Sequence, residues 1–156
     1  MFIGDVFNYG SDTEGYDMEL ELLSRVAYDV FALPTLNTQI ALWAYGYTNY
    51  PRNILDALNK MTKNYDEFDQ LLLRMDYANV SDVINTERAI EVINEMVEEK
   101  LNCMVFFSAQ SDTADLPRLE PKNEGIETLV AVGLKGEPII EQKKIKKGFS
   151  LLEPCE

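Results

Sequence analysis

The chain has 156 residues, enough for one hydrophobic core, and its 46% hydrophobic and 26% charged residues are those of an ordinary globular domain. Acidic residues number 27 against 14 basic ones, a formal net charge of −13, and a field of that sign repels phosphate backbones and anionic lipid. Histidine is absent, which excludes Ser-His-Asp, Cys-His and His-zinc chemistry.

No apolar run approaches the ~20 residues of a membrane-spanning helix; the longest, 39–47, is interrupted by Gly46. The opening Met1-Phe2-Ile3-Gly4-Asp5 lacks the basic and apolar regions of a signal peptide, so a cytoplasmic location is expected. Cys103 lies in an apolar run and reads as a small buried hydrophobe, Cys155 is penultimate, and neither belongs to a Cys-x-x-Cys pair. A disulfide between them has little support in a reducing compartment.

Residues 1–16 read as an irregular or short extended opening, with Gly10, Ser11, Asp12 and Gly15 as turn formers. Asp17 is the expected cap of a helix running to about Leu33, with Leu20, Leu23, Val26, Ala27, Val30 and Phe31 at helical spacing and Pro34 beyond its end. In 36–47, Ile40, Trp43, Ala44 and Tyr47 fit one helical face, although the aromatic and β-branched content also suits a strand; the helix is preferred. Pro51 opens a helix carrying Ile54, Leu55, Leu58 and Met61. Asn64 caps the next, with Glu67 in a capping-box relation and Phe68, Leu71, Leu72 and Met75 inward. A further helix from Ser81 or Asn85 to Lys100 sets Ile90, Ile93, Val97 and Leu101 opposite Glu87, Glu91, Glu95, Glu98 and Glu99.

After Leu101 the pattern changes. Cys103 to Phe107 predicts a buried strand, 110–125 a long loop, and Thr128–Leu134 with Ile139–Gln142 a hairpin across Lys135-Gly136-Glu137-Pro138. The stretch 148–156 reads as a flexible tail. The expected fold is α+β in a single domain, 1–156: a helical body of about four to five amphipathic helices followed by a small C-terminal antiparallel β element.

Phosphate loops, dinucleotide-binding turns and nucleophile elbows are missing from the sequence, so no cofactor is implied. Asp66, Glu67 and Asp69 cluster in one helical turn, but acids there oppose the helix dipole favourably and need no metal. The stretch Asp12–Glu19 resembles the start of a calcium loop, yet the glycine that loop requires would fall at Asp17. Lys143, Lys144, Lys146 and Lys147 form the single basic cluster and suit the blunting of an edge strand. Around them Gln142, Ile145 and Phe149 resemble a sliding-clamp-binding peptide, but Gly148 stands where that pattern has its first aromatic.

The remaining candidates concern binding. Asp12, Glu14, Asp17, Glu19 and Glu21 are among seven acids in the first thirty residues, offset by Arg25 alone. Tyr45, Tyr47 and Tyr50 offer large contact area at small rotamer cost. Together with Asp66, Glu67 and Asp69 they are the expected contacts to a protein partner with a basic surface. The sequence thus predicts a small acidic binding module rather than an enzyme, of the kind that inhibits a nuclease as an immunity or phage anti-defence protein does. The alternative is an assembly or chaperone-like protein that oligomerises through its helices. A carboxylate- and divalent-metal-dependent enzyme ranks third.

Overall fold

The computed structural model describes residues 1–34, 37–97 and 100–134. Four strands, β1 (Phe2–Val6), β2 (Leu42–Gly46), β3 (Cys103–Ser108) and β4 (Thr128–Gly133), form one sheet in the order β2-β1-β3-β4, and every pairing is parallel. Helices α1 (Thr13–Phe31), α2 (Ile54–Leu58), α3 (Tyr65–Leu72) and α4 (Thr86–Glu95) occupy its two faces.

Side chains alternate along the strands, and in β1, β2 and β3 both sets are buried, whereas the edge strand β4 is half-buried. Ile3, Trp43, Tyr45, Met104 and Phe106 meet Ile54 and Ala57 of α2 and Ile90 and Ile93 of α4 on one face. Phe2, Val6, Leu42, Ala44 and Phe107 meet Leu23 and Ala27 of α1 and Phe68 and Leu72 of α3 on the other. The ring of Phe2 stands edge-on to both Phe68 (5.7 Å) and Phe107 (6.0 Å), the geometry that the aromatic quadrupole favours. From β3 to β4 the chain crosses without a helix, and Leu119, with Leu116 and Ile126 beside it, packs into the first face instead.

Each helix starts on a side-chain cap. The carboxylate of Asp12 accepts from Gly15 N (3.1 Å), Asn53 from Leu55 N (3.1 Å), Asn64 from Glu67 N (2.9 Å) and Asn85 from Arg88 N (2.8 Å). In α3 the expected capping relation forms, and Glu67 Oε2 accepts the Lys63 N–H (3.0 Å) in return. That bond holds the Glu67 carboxyl below its ordinary range.

The predicted fold class is overturned: an all-parallel sheet covered by helices on both faces replaces a helical body with an antiparallel β element. The opening is not irregular, because Phe2–Val6 is the strand flanked by β2 and β3. The preferred helix at 36–47 is β2. Strands buried on both faces read as continuous apolar runs, and such a run satisfies helical spacing by accident. The expected first hairpin arm is β4, paired parallel to β3 in the same sheet. Helix α1 begins four residues before the expected cap, since Asp12 takes that role, and α4 stops at Glu95, leaving Val97 exposed. The expected turn and second hairpin arm, the lysine cluster and the peptide-like stretch around it, the tail, Cys155, Glu98 and Glu99 lie outside the described residues. No helix among the described residues is long and apolar enough to cross a membrane.

Candidate functional site

In an open parallel sheet the crevice beyond the carboxyl ends of the strands, where successive crossovers leave to opposite sides, is the usual ligand position. Here that point lies between β1 and β3. It is occupied by the protein itself. Asp5, at zero exposure, spends both carboxylate oxygens on five protein donors. Oδ1 accepts the N–H groups of Phe7 and Asn8, both at 2.9 Å. Oδ2 accepts from Asn8 Nδ2 (2.6 Å), Ser108 Oγ (2.9 Å) and Ala109 N (2.8 Å). A carboxylate offers about four lone-pair positions, so this one is saturated.

The surrounding groups are also committed inward. Asn8 Nδ2 donates to Thr86 Oγ1 (2.8 Å), which donates to Gln110 Oε1 (3.3 Å). Tyr45 OH donates to Ser108 Oγ (3.1 Å), and burial pushes its phenol well above the ordinary range, with the Asp5 charge adding to the effect. The result is a clasp that ties the β1–α1 loop, the start of α4 and the end of β3 together. Beside it, a space lined by Tyr45, Gly46, Thr48, Tyr50 and Ile84 measures about 10 Å³, no more than a single water molecule requires.

A second buried acid sits behind the clasp. Glu19, on the inner face of α1 and 1% exposed, accepts the Asp5 N–H at Oε1 (2.7 Å). Its Oε2 has no hydrogen-bond partner, nor has the buried Tyr16 hydroxyl one turn before it. Burial first, and then the Asp5 charge, raise the Glu19 carboxyl well above its ordinary range.

Glu19 and Tyr45 are therefore corrected as contact residues, because both are enclosed in the core. Tyr45 stacks on Phe106 at 5.8 Å. Tyr50 is half-buried and donates its hydroxyl to Leu71 O (3.0 Å), and burial pushes its phenol up to about 12. Tyr47 is half-buried in a ring stack between Phe7 and Tyr77. Asp12, Glu14, Asp17 and Glu21 are exposed on α1, and Asp66 and Glu67 are exposed on α3 with Asp69 half-buried.

These exposed acids form two groups, not one. Helix α1 starts at the carboxyl ends of the strands, just after β1. Helix α3 starts at the opposite rim: Thr62 pairs with Ile40 at the entrance to β2, and Tyr65 meets Ser24 (2.7 Å) and Tyr28 (5.2 Å) far along α1. At 1.5 Å per residue, Ser24, where Tyr65 meets α1, lies about 15 Å along the helix from Glu14, so the acids that open α1 and those that open α3 face different rims, with Glu21 between them.

At the carboxyl rim the α1 acids gain a member the sequence did not offer. Burial chiefly raises the Tyr16 phenol, with Asp76, Glu19 and Asp17 adding, and burial chiefly raises the adjoining Tyr9, with Glu19, Asp5 and then Asp12 adding. Asp12, Asp17 and Asp76 thus share one neighbourhood, with Glu14 on the same helical turn. Of the arginines near this rim, Arg52 is paired with Asp82 and Arg88 with Glu91 (2.7 Å), while Arg74 acts on the Tyr50 phenol. Among the described residues no three His, Cys, Asp or Glu side chains converge as metal ligands would. The clasp residues Asn8, Thr86, Ser108 and Gln110 carry no sequence signal; Asp5 does, as a lone charge within an apolar run. The chain matches no protein-family model, no curated protein and no solved structure.

Proposed function

We propose that this protein is an acidic binding module that engages a basic surface of a protein partner through its carboxyl rim, with Asp12, Glu14, Asp17 and Asp76 as the contact charges. The supporting observation is that the exposed Asp12 acts on the Tyr9 phenol and the exposed Asp17 and Asp76 on that of Tyr16, whose ring packs edge-on to Tyr9 at 6.4 Å, with Glu14 exposed on the same turn of α1. The Asp5 carboxylate beneath them has its lone pairs engaged, which favours a preformed charged surface over a substrate cleft at this rim. Such a module would work as an inhibitor that covers the partner's basic groove, in the manner of an immunity or anti-defence protein.

Charge-led association is fast at low ionic strength and falls steeply with salt. The test is capture of a partner from the native host at low salt, followed by titration of wild type against two neutralised variants. Asp12→Asn/Glu14→Gln/Asp17→Asn should lower affinity at least tenfold at low salt, and Asp66→Asn/Glu67→Gln at the opposite rim should change it less than twofold. Equal losses from the two variants, or affinity indifferent to salt, would refute the assignment.

A second reading has its own observation. Between α2 and α4 a groove of about 340 Å³ is lined by Asn53, Ile54, Leu55, Val92, Glu95, Met96 and Val97, with Leu55 42% and Val97 71% exposed. An apolar surface of this kind suits self-association, the assembly role. Light scattering after size exclusion decides between them: a monomer that stays monomeric at high concentration removes this reading.

A further inference from the structure

Three aromatic rings stand in a row at the carboxyl rim. Phe7 and Tyr47 stack with centroids 5.9 Å apart and planes 5° from parallel, and Tyr77 continues the row at 5.7 Å and 34°. Phe7 packs against the core, Tyr47 is half-buried, and Tyr77, the outermost, is 46% exposed. The row is rigidly held. Gly46 turns the chain at φ 111°, where a methyl group would run into the backbone of Val6 and Phe7. Ala78 N donates to Tyr47 O (2.7 Å), and Thr48 bridges Tyr77.

The stack is anchored in the core at Phe7 and ends in a ring whose outer side faces solvent. The exposed Asp76 precedes Tyr77 in the chain and the exposed Asn79 follows two residues on, while Asn49 is exposed two residues after Tyr47. An aromatic face in a negative field selects a cation. A planar one gains most, because a guanidinium both stacks on the ring and donates in plane to neighbouring oxygens, which an ammonium does not. A nucleobase would also stack, but its phosphates are repelled by a chain of net charge −13.

We infer that Tyr77 is the anchor of the rim interface and receives an arginine side chain of the basic partner, an assignment that rests on the rim reading above. The ring supplies the stacking surface, and Asp76 with the α1 acids supplies the field.

The test uses the full chain and three eleven-residue probe peptides alternating Gly and Ser around three equally spaced arginines, lysines or leucines, titrated at low salt by NMR. Arginine probes should bind about threefold to fivefold tighter than lysine probes, with the largest shifts at Tyr77 and Tyr47. Tyr77→Ala should bring that ratio to unity, and Tyr77→Phe, which keeps the ring, should preserve it. The Asp12→Asn/Glu14→Gln/Asp17→Asn variant should weaken both basic probes alike and leave the ratio intact. Equal arginine and lysine affinities in wild type, or leucine probes binding as well as arginine ones, overturn the anchor while leaving the rim charges in place. Failure of both basic probes to bind overturns the rim reading and the anchor with it.

Discussion

Asp5 and Glu19 are both buried acids at the same rim, and the backbone N–H of one donates to the side chain of the other, yet their circumstances are opposite. Asp5 is surrounded by donors from three segments; Glu19 has one donor and an orphaned oxygen. A buried carboxylate with its lone pairs filled organises structure, whereas one left half-satisfied costs stability when it ionises and escapes by keeping its proton. The first defines how the loops meet; the second is a weakness the fold tolerates.

The sharpest way to break the comparison is Asp5→Asn. The substitution removes the charge and turns an amide NH₂ toward groups that already donate, so unfolding in urea should show a loss of about 3–5 kcal/mol. Against a typical total of roughly 5–15 kcal/mol that would bring the chain near the limit of folding. A loss below about 1 kcal/mol would show that the clasp is not what holds the rim. Next comes Ser108→Ala, which takes one donor from Asp5 and the acceptor from the buried Tyr45 hydroxyl. It should cost about 1–3 kcal/mol by the same measurement.

Glu19→Gln should act in the other direction and depend on pH. The folded-state affinity of Glu19 for its proton is raised, while in the unfolded chain it titrates near the ordinary glutamate value of 4.5. Above that value the unfolded state releases a proton that the folded state keeps, so wild-type stability falls as pH rises toward the folded pKa. Glu19→Gln removes that slope. Thermal melts should show the variant gaining on wild type between pH 4.5 and pH 8, with no change in their difference below pH 4. A constant difference across the range would mean that Glu19 is not held protonated. The smallest stability effect belongs to the rim itself: Glu14→Gln with Asp17→Asn should move stability by no more than about 0.5 kcal/mol, as exposed charges do. A large loss there would turn the proposed contact charges into structural ones.

Legibility in the sequence tracked locality. The helix cap at Asn64 could be read because a cap acts within four residues of itself, and Asn85 was one of two starts offered for α4. The strand Cys103–Ser108 stood out as a compact apolar run, but β2 has the same character and was taken for a helix. Glu19 read as an exposed acid because its neighbours Asp17 and Glu21 are exposed, although it lies four residues before Leu23 on the buried stripe of α1. Asp5 alone signalled itself, and only as an anomaly. Asn8, Thr86, Ser108 and Gln110 are ordinary polar residues that become a network when three distant segments meet.

Composition and charge, caps and apolar runs are summed or local properties, and the amino-acid sequence determined them: a one-core acidic chain without histidine, with helices where side chains could cap them. Which runs became strands, that the four described strands run the same way, and that the acids divide between two rims were settled by pairings between residues up to about a hundred positions apart. Those pairings depend on which faces can be buried together, a quantity no single segment carries.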